Sequence, residues 1–263
     1  MDLGLETRRV LVTGSTAGIG FAIAQQLARE GAEVILNGRT EARVQQARDK
    51  LLAELPGAKL QGVAADLSTV QGIGTLLERF PTVDVLVNNL GIFEPKSFVD
   101  ITDADWLTIF ETNVMSGIRL SRAYVGAMKK AGWGRIVFIA SESAIAVPVE
   151  MIHYGMTKTA QVAVASGLAK DCERTGVTVN SIIVGPTASE GVGTFVKQLA
   201  EKQGLTNAQM EEEFFKSART SSLLKRFIEP AEVANLVAYV VSERASATTG
   251  AALRVDGGLL PVI

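Results

Sequence analysis

Two residues that could exchange protons with a substrate, Tyr154 and Lys158, lie four positions apart in the sequence. On a helix this spacing places both side chains on one face, one turn apart. A lysine ammonium so close favours the phenolate, so we expect Lys158 to lower the pKa of Tyr154 from its reference of about 10. Such a phenol can donate a proton to a developing alkoxide or accept one from an alcohol. The pair therefore predicts acid–base chemistry.

A third candidate, Ser141, directly follows the apolar run 135–140. This run is typical of a buried strand, and the carboxyl ends of strands border the crevice in which α/β sheets bind ligands. A hydroxyl at this place could hydrogen-bond the same substrate oxygen as Tyr154. Because a chance Tyr-x-x-x-Lys is common, the prediction depends on the elements that position these residues.

A glycine-rich turn near the N-terminus supplies a second functional segment. The β-branched run 9–12 is followed by Thr13–Gly20 and then by a helical pattern over 21–30. Strand, glycine turn and helix in this order are the context in which glycines bind a dinucleotide. Gly14 permits a tight turn, and the next two glycines let backbone and helix approach a pyrophosphate. The expected nucleotide contacts are Gly14, Ser15, Thr16, Gly18, Ile19 and Gly20.

Apolar runs alternate with helical patterns along the whole chain. This alternation predicts an α/β fold, a Rossmann-type doubly wound parallel sheet with helices on both faces. A chain of 263 residues, 47% of them hydrophobic, is long enough for one such domain. Repeats, low-complexity tracts and an interdomain linker are absent from the sequence. We therefore expect residues 1–263 to form a single domain.

The whole pattern resembles the short-chain dehydrogenase/reductase family, including members such as 3-oxoacyl thioester reductases and gluconate 5-dehydrogenases. The Gly-x-x-x-Gly-x-Gly spacing, the Asn-Asn-x-Gly stretch 88–91, the serine and Tyr-x-x-x-Lys all match the family. Leu90 replaces the usual alanine of the second motif, and Val184 replaces a proline before Gly185. The resemblance implies an enzyme that transfers a hydride between NAD(P) and a carbonyl or secondary alcohol.

The resemblance also implies roles for individual residues. Tyr154 would be the general acid or base, and Ser141 would polarise the carbonyl. Lys158 would bind the nicotinamide ribose, and Asn113 would hold a water of the proton relay. Asp66, supported by Leu67, would bind adenine. From the residues alone, Asp66 could equally be a helix N-cap and the asparagines ordinary turn residues. The remaining cofactor contacts implied are Asn89, Gly91, Gly185, Thr187 and Ser189, besides Tyr154 and Lys158.

The end of the predicted second strand favours NADP over NAD. An NAD site usually has an acidic residue here, but Gly38 occupies that place and Arg39 follows. A guanidinium can bind the 2′-phosphate of NADP, and no carboxylate is present to repel it. A second basic residue, common in NADP-binding members, is replaced by Ala17. NADP is therefore the expected cofactor, with NAD as the alternative.

Composition excludes several other classes of function. The net charge of −2 gives no electrostatic reason to expect nucleic acid or an anionic membrane as partner. The one cysteine, Cys172, excludes an internal disulfide, and the one histidine, His153, excludes a histidine-cluster metal site. The sequence shows neither a signal-peptide pattern nor a membrane-spanning run. We expect a cytoplasmic protein without a metal.

Two segments predict features around the site. Residues 190–228 are polar, glycine-hinged and partly helical, as a mobile lid over a substrate would be. Residues 159–169 are small and apolar on almost every face. A helix of this kind needs cover on both sides, so we expect a second subunit on one of them. The family resemblance favours a homotetramer, with a homodimer as the alternative.

The residues around the predicted site do not choose a substrate. A 3-oxoacyl thioester and a sugar, polyol or other small alcohol remain rivals. Glu142, beside the serine, argues against a strongly anionic substrate. A nucleotide-binding sensor without catalysis is the alternative from another class, but such a chain should lack one of the four catalytic residues. The candidates for the substrate lining are Ile92, Phe93, Glu142, Val147, Glu150, Met151 and His153.

Overall fold

The computed structural model describes residues 2–189, 192–193, 200–201 and 204–261. Within these ranges the strands are β1 (Arg9–Val12), β2 (Glu33–Gly38), β3 (Leu60–Ala64), β4 (Val85–Asn88), β5 (Gly134–Ile139), β6 (Val177–Val184) and β7 (Ala252–Val255). All of them are parallel and form one sheet in the order β3-β2-β1-β4-β5-β6-β7. The predicted doubly wound parallel sheet is confirmed.

The helices connect these strands. In the described ranges they are α1 (Gly18–Arg29), α2 (Glu41–Glu54), α3 (Val70–Arg79), α4 (Asp103–Phe110), α5 (Ser116–Ala131), α6 (Ile152–Asp171), α7 (Asn207–Ser217) and α8 (Pro230–Val240). Thr102 starts α4 through a capping box with Asp105. A π-helical turn, Glu111–Met115, joins α4 to α5 without a break. Turns of this type are frequent at functional sites, and this one contains Asn113.

Alternating strand residues build a core on each face of the sheet. Val10 and Val12 of β1 pack with residues of α1, α2 and α8. Leu11, between them, packs on the opposite face with residues of α3, α5 and α6. Each fully buried valine or leucine stabilises the fold by about 1.5–3 kcal/mol relative to an exposed one. Both faces of the sheet are therefore covered, as a parallel sheet requires.

The strand order reverses at β1, which has β2 on one side and β4 on the other. At such a point the loops after the two strands diverge and open a crevice. The glycine turn follows β1, and Asn89–Gly91 follow β4. The topology therefore places the predicted nucleotide loop at the edge of the sheet that also carries Ser141.

The described part of the predicted lid packs against itself and against the sheet edge. Thr206 starts α7 through a capping box with Gln209. Phe215 and Phe227 are buried in a small cluster that also contains Ala200 and Met210. Residues 190–191, 194–199 and 202–203 of the predicted lid lie outside the described residues. No helix in the described part of the chain has the length and apolarity to span a bilayer.

Candidate active site

A cavity of about 540 Å³ lies at the carboxyl edge of the central strands. The glycine turn after β1 lines one end, and the loops after β4, β5 and β6 line its floor. The start of α6 and the segment that follows α7 complete the wall. Ser141, Tyr154 and Lys158 all face this cavity. The two halves of the predicted site therefore meet in one place.

Lys158 is held by two hydrogen bonds on the inner face of α6. Its Nζ donates to the Ile139 carbonyl oxygen at 2.8 Å and to Gln161 Oε1 at 3.1 Å. The same Nζ lies 5.5 Å from the centre of the Tyr154 ring. The spacing of four residues thus places the two side chains together, as predicted. An ammonium has three donors, so one of them remains for a ligand.

Ser141 ends β5 and caps the short turn that follows. Its hydroxyl oxygen accepts a hydrogen bond from the Ser143 N–H at 3.2 Å, and its proton is donated to the Glu142 carboxylate. Ser141 also hydrogen-bonds Tyr154. Register with β6, in which Ile139 lies opposite Ile182, fixes the position of this strand end. The serine is therefore fixed between the phenol and a buried carboxylate.

Asn113 uses its side chain to shape the cavity wall. Its Oδ1 accepts from the Ile92 N–H at 2.8 Å, and its Nδ2 donates to the Ile92 carbonyl at 2.9 Å and to Thr157 Oγ1 at 3.0 Å. Its main-chain carbonyl accepts a hydrogen bond from the Gln161 amide. The Asn113 carbonyl is therefore linked through Gln161 to Lys158.

Burial dominates the titration of the two proton-transfer candidates. It raises the pKa of Tyr154 above its usual value, and the Glu142 charge adds to the increase. The hydrogen bond between Ser141 and Tyr154 acts in the opposite direction. Burial also lowers the pKa of Lys158 to about 8, although the Glu142 charge opposes this. The expected lowering of the Tyr154 pKa by Lys158 is therefore wrong for this structure.

The glycine turn is shaped to approach a ligand closely. Gly14 and Gly18 have φ of 61° and 56°, a left-handed conformation that disfavours other residues. A Cβ on Gly20 would lie 2.4 Å from both the Gly14 carbonyl oxygen and Asn89 Nδ2. Helix α1 starts after Ala17 without a side-chain cap, so its first N–H groups face the cavity end unpaired. Free N–H groups at a helix N-terminus suit an anion. The other expected loop residues, Ser15, Thr16 and Ile19, lie in the same turn.

The end of β2 has no space for an acidic side chain at Gly38 and carries the exposed Arg39 next to it. A Cβ on Gly38 would lie 2.5 Å from the Thr16 methyl group. Arg39 is exposed and makes no hydrogen bond or ion pair with any residue that the structure describes. Asn37 Oδ1 accepts a hydrogen bond from the Gly14 N–H at 3.1 Å, which connects the end of β2 to the glycine turn. Arg39 is therefore free to bind an anionic ligand group.

Of the expected cofactor residues considered next, Asn89 lines the cavity, whereas Asp66 and Leu67 do not. Asn89 Nδ2 donates to the Thr13 and Gly14 carbonyls, at 2.9 and 3.2 Å. Asp66 Oδ1 accepts from both the N–H and the hydroxyl of Ser68, which leaves its other oxygen exposed. The side chain of Leu67 is buried in the core.

Close to the substrate end, a Cβ on Gly91 would lie 3.5 Å from Lys158 Nζ. After β6, the Thr187 hydroxyl donates to the Gly185 carbonyl at 2.9 Å, and Ser189 lies against Gly18. These loops therefore join the glycine turn to the floor of the cavity.

The structure corrects the predicted lining at two positions and adds two residues. Val147 and His153 do not line the cavity, and His153 packs edge-on against Trp106 at 5.8 Å between ring centres. Gln161 was missed, although a glutamine three residues after Lys158 in an apolar helix was a visible signal. Arg219 was also missed because it reaches Glu142 from 77 positions away. The other predicted lining residues, Ile92, Phe93, Glu142, Glu150 and Met151, face the cavity.

Metal chemistry has no support in the described part of the chain, where no group of three or more histidine, cysteine or acidic side chains could hold an ion. The cavity instead combines an uncapped helix N-terminus with a hydrogen-bonded serine, tyrosine and lysine, and the exposed Arg39 follows β2, whose Gly38 packs against the glycine turn. Such a site can bind an anionic cofactor and exchange a proton with a neighbouring oxygen.

Relatives of the chain share its full length. A sequence profile described as enoyl-(acyl carrier protein) reductase matches residues 14–260. YvaG, an uncharacterized oxidoreductase of Bacillus subtilis, is 47% identical over 99% of this chain and 98% of its own. The 3-oxoacyl-(acyl-carrier-protein) reductase FabG of Aquifex aeolicus is 31% identical over 98% of this chain and 100% of its own.

A solved structure is similar over the same extent. L-sorbose reductase from Gluconobacter frateurii, complexed with NADPH and L-sorbose, matches with a TM-score of 0.92 and 31% identity. The match covers 100% of both chains. The fold and the order of the segments around the cavity are thus shared with a reductase of known ligands.

Proposed function

The chain belongs to the short-chain dehydrogenase/reductase family, and we propose that it reduces a small ketone with NADPH and oxidises the secondary alcohol in the reverse direction. One observation carries the proposal. The end of β5 and the start of α6 bring three of the four expected catalytic residues to one cavity that the glycine turn also lines, and the fourth, on the π-turn, hydrogen-bonds the backbone of Ile92 in the cavity wall. These residues are Asn113, Ser141, Tyr154 and Lys158.

The residues of this chain fit a dinucleotide phosphate. The absence of a side chain at Gly20 lets α1 start directly against the glycine turn, and the uncapped N-terminus of α1 suits a pyrophosphate. Arg39 would hold the 2′-phosphate that distinguishes NADP from NAD. Ser189, against Gly18, would close the loop from the opposite side. When bound, NADPH supplies the hydride, while the protein supplies orientation and proton transfer.

Each catalytic residue has a role that its contacts support. Because its pKa is raised, Tyr154 stays protonated near neutral pH, which is the form that a general acid needs. Ser141 would donate a hydrogen bond to the carbonyl oxygen. Lys158 has a remaining donor for the ribose and links through Gln161 to Asn113. The site is therefore better prepared to protonate an alkoxide than to deprotonate an alcohol.

The test is a panel of ketones and secondary alcohols, assayed with NADPH and NADH. Wild-type protein should reduce at least one ketone, and Tyr154→Phe should abolish turnover. NADPH binding by this variant should stay within about tenfold, because most cofactor contacts lie elsewhere. Tyr239→Phe, a change at an exposed tyrosine of α8, is the matched control. Turnover near the wild-type rate in Tyr154→Phe would overturn the mechanism.

A 3-oxoacyl thioester is the second candidate substrate. Ile92 and Phe93, at the cavity mouth, are 43% and 38% exposed and could contact an acyl chain. FabG of Aquifex aeolicus is a relative that carries this activity in its name. Against it, the wall beside the serine carries Glu142, and the similar L-sorbose reductase binds a sugar. Including 3-oxoacyl thioesters in the panel distinguishes the two.

We also propose a homotetramer, or failing that a homodimer, in a reducing compartment such as the cytoplasm. Gly126 on α5 and Gly167 on α6 have nothing within 4 Å of a would-be Cβ, so no contact in the described chain requires glycine there. Glycine in a helix costs about 1 kcal/mol relative to alanine. A second subunit packed closely on this surface would account for both. The free, buried Cys172 is compatible with reducing conditions.

A further inference from the structure

A buried ion pair borders the reacting end of the cavity. Glu142 directly follows Ser141 and is 5% exposed. One of its carboxylate oxygens accepts the proton of the Ser141 hydroxyl, and the other accepts from Arg219 Nε at 3.2 Å. A buried charge is costly unless it is paired and hydrogen-bonded, and here both oxygens are satisfied.

The serine cannot serve Glu142 and a substrate at the same time. Ser141 has one hydroxyl proton, and in the structure Glu142 accepts it. To polarise a carbonyl, Ser141 must donate this proton to the substrate oxygen instead. The carboxylate oxygen of Glu142 then loses its donor. A buried charged acceptor without a donor destabilises the complex, because its lost hydration is not replaced.

A hydroxyl group on the carbon next to the carbonyl would restore the missing hydrogen bond. The two oxygens of an α-hydroxy ketone lie on adjacent carbons, and their partners, Ser141 and Glu142, are adjacent and already hydrogen-bonded to each other. We propose that Glu142 is a specificity-determining residue that accepts a hydrogen bond from this hydroxyl, which makes α-hydroxy ketones the substrate class. The proposal rests on the function proposed above.

The reaction then balances without a further reactant. Hydride adds to the carbonyl carbon, the carbon–oxygen π bond breaks, and Tyr154 gives its proton to the oxygen. The neighbouring hydroxyl is unchanged, so the product is a vicinal diol. A ketone without the hydroxyl undergoes the same chemistry but leaves Glu142 without its donor. Sites built to hydrogen-bond a substrate hydroxyl discriminate strongly against analogues that lack it.

Arg219 positions Glu142 and acts through it. Its Nη1 donates to the Ala218 carbonyl at 2.9 Å and lies 3.8 Å from the Glu150 carboxylate. Its guanidinium lies 5.6 Å from the centre of the Phe214 ring, which stacks with the ring of Phe227. The guanidinium is thus already paired with carboxylates, so an anionic substrate would have to displace one. A neutral hydroxylated substrate leaves these pairs intact.

The test compares 1-hydroxy-2-butanone with 3-pentanone, in which a methyl group replaces the hydroxyl. Wild-type kcat/KM should favour the hydroxy ketone by about 100-fold or more. The double variant Glu142→Leu with Arg219→Met removes both charges together. Its ratio of kcat/KM values for the two ketones should fall to within about tenfold of the ratio of the rates at which borohydride reduces them. Because electronic reactivity is the same in both proteins, the change in ratio isolates the contact with Glu142.

Matched variants separate this contact from a general loss of the ion pair. Arg226 and Glu232 form another pair, at 2.8 Å, that does not line the cavity. Arg226→Met with Glu232→Leu should keep the wild-type ratio. Glu142→Gln, which keeps the size and one acceptor, should lower the ratio less than the double variant. Circular dichroism verifies that each variant is folded.

A measurement on the wild-type protein needs no variant. Butane-1,2-diol, the product of the hydroxy ketone, should inhibit competitively at concentrations about tenfold or more below those of pentan-3-ol. Equal kcat/KM for the two ketones, or a ratio that survives in the double variant, would overturn the role of Glu142 while leaving the reductase activity in place. If no ketone of the panel is reduced, the proposed function fails and this inference with it.

Discussion

Gly38 and Arg39, at the end of β2, are the residues that we propose select NADP over NAD. An acidic residue at position 38 would collide with Thr16, whose methyl group lies 2.5 Å from the would-be Cβ. The exposed Arg39 guanidinium has no partner among the described residues and can bind a phosphate. Selectivity for NADP therefore combines exclusion of a carboxylate with provision of a cation.

We expect NADPH to bind more tightly than NADH. The substitution Arg39→Ala should reduce the difference between their binding free energies by about 1–3 kcal/mol, the scale of a hydrogen bond to a charged group. Fluorescence titration with both nucleotides measures this. Arg29→Ala, at the end of α1 remote from the glycine turn, is the control and should leave this difference in binding free energy unchanged. Equal affinities of the wild-type protein for the two nucleotides would contradict the assignment of NADP.

Burial of the Lys158 ammonium should make the free energy of unfolding depend on pH. Its folded pKa of about 8 lies below the ordinary value of 10.5, so between these values the unfolded chain binds more protons. The cost of burying the charge is complete below about pH 8 and disappears as the pH rises. Between about pH 8 and 9.5, the free energy of unfolding of the wild-type protein should therefore rise by about 2 kcal/mol relative to that of Lys158→Met.

Urea unfolding at several pH values measures this difference. Lys130→Met, the same change at an exposed lysine of α5, should give a difference that does not vary with pH over this range. A flat difference for Lys158→Met as well would mean that the Lys158 pKa is not lowered. The range stops at about pH 9.5 because Tyr154, with its raised pKa, contributes a loss of stability above the ordinary tyrosine value of about 10.

Among the elements, the junction of β1, its glycine turn and α1 has no room for a side chain at Gly20. Gly20→Ala should weaken NADPH binding by about tenfold or more and destabilise the protein by about 1–3 kcal/mol, because the new methyl group meets Gly14 and Asn89. Gly74→Ala is the control, since nothing lies within 4 Å of its would-be Cβ in α3. This change should stabilise the protein by about 0.5–1 kcal/mol.

Nucleotide titration and thermal unfolding of the two variants give the comparison. If Gly20→Ala bound NADPH as tightly as the wild-type protein, the turn would not be the pyrophosphate site.

The elements were largely predictable because their signals are local. Apolar runs and helical spacing gave the strands, although β4 begins at Val85 rather than Val83. The reason is the partner strand, since Val10 of β1 lies opposite Val85 and β1 does not extend much further. The π-turn was not predictable, because its Asn113 bonds the backbone of Ile92 in a loop 21 residues earlier.

The proximity of the predicted proton-transfer residues could be inferred from the sequence, but their electrostatics could not. Spacing placed Tyr154 near Lys158, but the direction of their pKa shifts depends on burial, which a sequence pattern does not measure. The pairing of Glu142 with Arg219 joins residues 77 positions apart and needs the fold to be known. Contacts between residues so far apart in the sequence depend on how the sheet and its loops fold together.

At the scale of the whole molecule, the proposed assembly places a second subunit on the surface of α5 and α6 that carries Gly126 and Gly167. Light scattering at micromolar concentration should show a tetramer, or a dimer, rather than a monomer. Gly126→Leu should shift the protein towards smaller species, because the larger side chain would hold two α5 surfaces apart. Gly74→Leu should leave the assembly unchanged. A wild-type monomer would refute the proposed assembly.

The strand order also determines when the site can form as the chain leaves the ribosome. β2 and β3 add to one edge of β1, and β4 to β7 add in turn to the other, so no strand inserts between two that are already paired. Lys158 is synthesised roughly 10 seconds after Arg39 at typical elongation rates. The glycine turn and the end of β2 can therefore assemble while the proton-transfer residues do not yet exist. A nascent chain of this protein would form the loops proposed to bind the cofactor phosphates before it forms the rest of the site.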